Sequence, residues 1–144
     1  MMAFQVIGTG LLLMFLSTVI HALFMMGGNH ALEWRLARFG PAKGHMDKGV
    51  LVSLLTLWMF LAIVIEAWIW ALLYLYNPLI TKLPDIETAF YFSMVTFTTL
   101  GYGDVVLSGH WRSLASIQAA NGVIIFGWTT ALIFYFIQRI YRKD

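Results

Sequence analysis

Three long apolar runs dominate the chain, and short polar stretches separate them. The runs cover residues 3–26, 50–76 and 113–137. Each is long enough to cross a hydrocarbon core of about 30 Å, which takes about 20 apolar residues. A fourth apolar stretch, 86–98, is too short to span and suits a re-entrant helix that protein surrounds. The pattern predicts an all-α integral membrane fold with three transmembrane helices and one shorter helix.

The polar stretch between the first two runs carries a weaker helical signal. Leu32, Leu36 and Phe39 recur at helical spacing, and Pro41 breaks the pattern. Two interpretations of this 28–49 connector stay open. It is either an amphipathic helix lying at the membrane surface or a plain solvated link.

Composition supports the membrane prediction and excludes a soluble domain. Hydrophobic residues make up 60% of the chain and charged residues only 11%. The net charge of +2 comes from the loops, so it gives no reason to expect nucleic-acid binding. The first run lacks a positively charged leader and a clear cleavage site, which favours a retained helix over a signal peptide. The absence of cysteine is compatible with a bacterial plasma membrane.

The basic residues are distributed unequally and predict an orientation. Two of the nine, Lys82 and Arg112, lie between the second and third runs. The other seven are Arg35, Arg38, Lys43, Lys48, Arg139, Arg142 and Lys143. The positive-inside rule therefore places the 28–49 connector and the C-terminus in the cytoplasm, and the N-terminus outside. Four aromatic residues near the end of the second run suggest an outer interfacial belt: Trp68, Trp70, Tyr74 and Tyr76.

The short fourth stretch leads into the most informative motif of the chain. Asp85 is placed to cap the free N–H groups at the start of a helix. At its other end follows the segment Thr98-Thr99-Leu100-Gly101-Tyr102-Gly103-Asp104. A Gly-Tyr-Gly-Asp sequence alone is compatible with an ordinary turn. Between two membrane-length runs, the segment resembles the pore signature of the two-helix, pore-loop potassium channel family.

That resemblance implies a division of the chain. Residues 50–141 would form a potassium channel pore domain, with an outer helix at 50–76, a pore helix at 86–98, a filter at 99–104 and an inner helix at 112–138. Residues 1–27 would be an additional N-terminal transmembrane helix, and 28–49 the cytoplasmic connector. The implied activity is passive, selective conduction of K⁺.

The resemblance also assigns roles in the filter. Backbone carbonyls of Thr99, Leu100, Gly101 and Tyr102 would coordinate K⁺, with Gly103 completing the strand. Gly101 and Gly103 would take positive φ, which glycine adopts without steric cost. The side chains of Leu100 and Tyr102 would pack backward as a cuff against the preceding segment.

Two departures from the family pattern affect the support of the filter. Leu100 replaces the usual valine or isoleucine, a mild change because its carbonyl is the functional group. Val95 stands where some members have a carboxylate that braces the filter aspartate, so that brace is predicted to be absent. Thr98, Asp104 and Glu66 are the predicted supporting residues.

One chain supplies one filter strand, so the resemblance implies a homotetramer in a lipid bilayer with K⁺ as the permeant ligand and no other cofactor. An alternative function is a non-conducting or co-assembling subunit of a cation channel. The sequence contains no Gly-x-Ser-x-Gly or His-Glu-x-x-His pattern, so no enzyme is predicted.

Three residues within the apolar runs leave alternatives open. Glu66 would hydrogen-bond Ser93 or Thr96 of the pore helix, take over the bracing that Val95 cannot provide, or else be a neutral carboxylic acid satisfied by packing. His21 is expected near the inner interface, either as a pH sensor or as an ordinary interfacial residue. Gly122 is either a gating hinge of the inner helix or a site of close packing.

Overall fold

The computed structural model describes residues 2–77, 80 and 83–142. The predictions for Lys82 and Lys143 lie outside these residues. Within the described part of the chain, the helices are α1 (Met2–Phe39), α2 (Gly44–Tyr76), α3 (Ile86–Phe97) and α4 (Arg112–Tyr141), with a short 3₁₀ turn at Gly109–Trp111 before α4. Three of these helices, α1, α2 and α4, are long and apolar enough to cross a membrane. The predicted all-α membrane fold is confirmed.

Helix α1 does not end where the sequence predicted. It continues through residues 28–39, which were assigned to a separate connector after a 1–27 helix. The reason is that Leu32 is buried in a core cluster with Met59 and Phe136, so this stretch packs on the bundle. The chain then turns at Gly40, whose φ is +75°. The connection between α1 and α2 is therefore short, because α2 begins at Gly44.

The long helices form a bundle in which α1 and α4 run in the same direction and α2 runs opposite to both. Near the start of α1, Gly10 lies against Ile117. Near its end, Asn29 accepts a hydrogen bond from Arg139, 2.9 Å away. Helix α3 is packed against α2 and α4 at the end of the bundle where α4 begins. We call this the filter end, and we call the opposite end, which contains Arg139, the far end.

The aromatic residues of α2 are not all interfacial. Trp70 and Tyr74 have no exposed surface, because they belong to the core between the helices. Trp68 stacks on Phe90 of α3 with a ring separation of 4.3 Å. Tyr76 alone of the four is largely exposed. Trp70 and Tyr74 are therefore core residues and not lipid-facing members of the predicted belt.

Candidate functional site

The segment after α3, residues 99–104, has an alternating backbone. Thr99, Gly101 and Gly103 have φ values of +60°, +56° and +80°, while Leu100 and Tyr102 between them do not have positive φ. The positive φ predicted for the two glycines is confirmed. Alternation of left-handed and right-handed residues allows successive peptide groups to face the same way. A row of carbonyl oxygens directed to one side is what the coordination of a dehydrated cation requires.

Thr99 departs from ordinary backbone preferences. A β-branched residue rarely adopts positive φ, and such conformations persist where the surroundings impose them. Here the Thr99 N–H donates to the carbonyl of Thr96 at 3.0 Å, and the Gly101 N–H donates to the carbonyl of Val95 at 3.2 Å. Both bonds tie the start of the segment to the end of α3. We call residues 99–104 the filter segment.

The C-terminal end of the filter segment, at Asp104, is held by a tyrosine that the sequence analysis missed. The hydroxyl of Tyr91 donates to Asp104 at 2.8 Å. The sequence predicts that the carboxylate brace at position 95 is absent, and Val95 supplies none. Tyr91, one helical turn before Val95, contacts Asp104 in its place. The spacing of four residues on one helix face was the available signal.

The predicted cuff of side chains is not formed within one chain. Leu100 is 56% exposed and Tyr102 is 69% exposed. These side chains therefore do not pack as the predicted cuff against the preceding segment of the same chain. Beside the filter segment lies a cavity of about 310 Å³, whose lining includes Val95, Val106 and Ala119. The filter segment of a single chain thus leaves large apolar surface uncovered.

Local interactions fix both ends of α3. Asp85 accepts a hydrogen bond from the backbone N–H of Thr88 at 2.7 Å, so the predicted cap is confirmed. The same N–H holds the pKa of Asp85 below its usual range. At the other end, the Thr98 hydroxyl donates to the carbonyl of Met94 at 2.8 Å. The hydroxyl thereby adds a second bond to a carbonyl that also accepts the Thr98 N–H.

Helix α4 approaches α3 so closely at Gly122 that no side chain fits between them. A Cβ atom at this position would lie 1.8 Å from the carbonyl oxygen of Phe97. Helix α4 runs without interruption through Gly122. The contact supports the close-packing interpretation of this glycine.

A buried polar network lies behind α3 and was not predicted. Tyr74 donates to Gln118 Oε1 at 2.8 Å, and Gln118 Nε2 donates to the Ser93 hydroxyl at 2.8 Å. The Ser93 hydroxyl donates in turn to the carbonyl of Ala67 at 2.6 Å. This Ser93 network joins α2, α3 and α4. A glutamine one turn before Gly122 in an apolar run was the signal that could have revealed it.

Glu66 lies elsewhere than predicted. Its Oε1 is paired with His21 Nδ1 at 3.0 Å, and its Oε2 is buried without a hydrogen-bond partner among the described residues. The bond from Glu66 to Ser93 or Thr96 is therefore not formed. His21 is fully buried between the helices. Sequence reasoning missed this pair because its members are 45 residues apart on different helices.

Comparison with known proteins agrees with this arrangement. The model of a family described as ion channel matches residues 53–139, more than half of the chain. No solved structure matches the chain. The matched segment contains most of α2, all of α3, the filter segment and nearly all of α4. The chain therefore belongs to the two-transmembrane, pore-loop ion channel family.

Proposed function

We propose that four copies of this chain form a potassium-selective pore, and that K⁺ crosses it passively through four filter segments. The observation that carries the proposal is the alternating backbone of Thr99, Gly101 and Gly103. Rings of carbonyl oxygens from Thr99, Leu100, Gly101 and Tyr102 would replace the water shell of the ion. The C-terminal end of α3 carries partial negative charge, which would lower the cost of a cation beside it.

The exposed surface of the filter segment supports assembly. One chain contributes one row of carbonyls, so a closed ring requires several copies about an axis. Leu100 and Tyr102 are exposed by more than half in the single chain. Exposed apolar surface of this kind favours contact with another protein surface. In the proposed tetramer, a neighbouring copy covers these side chains and completes the cuff.

The charge distribution supports an orientation for the proposed pore. Arg139 lies at the far end of α4, and Arg35 lies near the end of α1 at the same side. Under the positive-inside rule, this end faces the cytoplasm and the filter end faces outward. Asp104 would then stand at the outer mouth as a carboxylate that attracts incoming cations.

Reconstitution tests the proposal directly. The purified chain is placed in vesicles loaded with K⁺, and ion efflux is followed while native mass spectrometry gives the number of chains per assembly. We expect a mass of four times the 16.4 kDa chain and an efflux of K⁺ that greatly exceeds that of Na⁺. A tetramer that passes neither ion would favour a non-conducting or co-assembling subunit, and a stable dimer would contradict the proposed pore.

A further inference from the structure

Helix α1 (Met2–Phe39) lies wholly outside the family-matched segment in sequence, because that segment begins at residue 53. It nevertheless packs against both α2 and α4. At the far end, Arg139 of α4 donates to Asn29 Oδ1 at 2.9 Å and to Glu33 Oε1 at 3.2 Å. In the interior, α1 contributes a histidine to a polar cluster. The additional helix is therefore attached by specific polar contacts as well as by apolar packing.

The interior cluster joins three helices. His21 of α1 contacts Glu66 of α2 through Nδ1 at 3.0 Å and Thr129 of α4 through Nε2 at 3.1 Å. His21 and Glu66 have no exposed surface, and Thr129 is 7% exposed. The ring of Trp128 lies beside the imidazole, with a centroid separation of 5.4 Å. We call His21, Glu66 and Thr129 the His21 cluster.

The hydrogen bonds of Thr129 determine where the protons of the cluster lie. The Thr129 hydroxyl also bonds to the carbonyl of Ile125 at 2.9 Å. A hydroxyl has one proton and a carbonyl has none, so this bond uses the proton of Thr129. Thr129 must then accept from His21, which places a hydrogen on Nε2. One further proton lies between Nδ1 and Glu66 Oε1.

His21 Nδ1 and Glu66 Oε1 therefore share one hydrogen bond inside the bundle. Loss of either partner would leave a buried polar group without its bond, which is costly in a membrane interior. His21 therefore fixes the side chain of Glu66, and with it the part of α2 that carries Glu66.

The His21 cluster and the Ser93 network meet on α2. Glu66 is bonded to His21, and the next residue, Ala67, accepts the hydroxyl bond of Ser93. Ser93 lies on α3. The carbonyls of Val95 and Thr96 in the same helix accept hydrogen bonds from the filter segment. A displacement of α2 at Glu66 would move the carbonyl to which α3 is anchored.

We propose that His21 is a positioning residue for the filter segment, acting through Glu66 and Ala67 on Ser93 of the pore helix. The proposal rests on the proposed function, because the property that His21 controls is the ion selectivity of the filter. It assigns to the additional helix a role in the pore itself. Helix α1 is then an internal support of the filter and not a separate membrane anchor.

The test compares two substitutions of His21 with a matched control. His21→Leu removes both hydrogen bonds of the imidazole. His21→Gln keeps a polar side chain whose amide NH₂ can still donate to Glu66. His30→Leu makes the same change at an exposed histidine of the same helix. We measure amide hydrogen exchange in α3 and the ratio of Na⁺ to K⁺ permeability for each tetrameric variant.

We expect His21→Leu to accelerate amide exchange in α3 severalfold and to raise the permeability of Na⁺ relative to K⁺. His21→Gln should show smaller changes in both quantities. His30→Leu should change neither. If His21→Leu does not assemble, Thr129→Val provides the second test, because it removes the hydroxyl that contacts Nε2 and bonds to Ile125, and it leaves His21 and Glu66 in place. Tetramers of these variants with wild-type exchange and selectivity would overturn the proposal. A wild-type channel that does not discriminate K⁺ from Na⁺ would instead overturn the proposed function.

Discussion

Gly101 is required for its backbone conformation and not for close packing within the chain. Its φ is +56°, and no atom lies within 4 Å of the place where a Cβ would be. We expect Gly101→Ala to cost about 1–2 kcal/mol per chain from the left-handed conformation alone. Because the proposed tetrameric pore would contain this position four times, K⁺ flux should be greatly reduced.

Gly49 provides the matched control for this substitution. It also has open space around it, but it lies in α2 without positive φ. Gly49→Ala should leave flux unchanged and increase helix stability slightly, because alanine is the better helix former. Comparison of K⁺ efflux from vesicles measures both variants. Equal flux through the two variants would contradict the conformational role of Gly101.

The Tyr91 hydroxyl holds the outer end of the filter segment through Asp104. Tyr91→Phe removes the donor and keeps the ring, so the filter should form and its conducting state should become shorter-lived. Single-channel open times measure the effect, for which we expect a severalfold decrease. Tyr76→Phe removes the same atom from an exposed tyrosine of α2 and should leave open times unchanged. Wild-type open times in Tyr91→Phe would show that the bond does not stabilise conduction.

At the scale of helices, Gly122 sets the distance between α3 and α4. A Cβ there would lie 1.8 Å from a backbone oxygen of Phe97, which cannot move aside as a flexible side chain could. Gly122→Ala should therefore displace α3, lower the thermal midpoint of the tetramer and abolish selective flux. Gly127→Ala lies on the same helix with nothing within 4 Å and should be tolerated. A fully functional Gly122→Ala tetramer would contradict the packing.

The cap of α3 predicts a defined response to acid. The pKa of Asp85 is lowered by the Thr88 N–H, so the stabilisation is present above the usual aspartate pKa of about 3.9. It is lost as pH falls through the lower pKa of the folded protein. Asp85→Ala should lower the thermal midpoint at neutral pH and remove this acid-dependent component, whereas Asp85→Asn should retain much of the cap. Identical melting of the wild type and Asp85→Ala at neutral pH would exclude the contribution.

The helices could be predicted from local sequence, but the side-chain contacts between them could not. The runs of apolar residues, the Asp85 cap and the positive φ of Gly101 and Gly103 each depend on neighbouring residues or on residue type. The pairing of His21 with Glu66 depends on how distant helices pack. The continuation of α1 through 28–39 has the same cause, since Leu32 is buried by residues of α2 and α4.

At the scale of the whole molecule, the proposed pore would be a property of the assembly and not of one chain. A single chain contains one filter segment with exposed Leu100 and Tyr102, and its α1 is bonded to both long helices of the pore-forming segment. In the proposed tetramer, each copy supplies one row of carbonyls and one internal support. The ring geometry would then depend equally on contacts between copies and on the contacts behind each α3.

The most direct test of this account is the reversal potential of the wild-type chain in a planar bilayer, with K⁺ on one side and Na⁺ on the other. We predict a reversal potential close to the K⁺ equilibrium value. The same measurement on Tyr102→Ala should give a value shifted toward zero, because the cuff that fixes the ring diameter is removed. A wild-type reversal potential near zero, with Na⁺ and K⁺ passing equally, would contradict the assignment of residues 99–104 as a potassium filter.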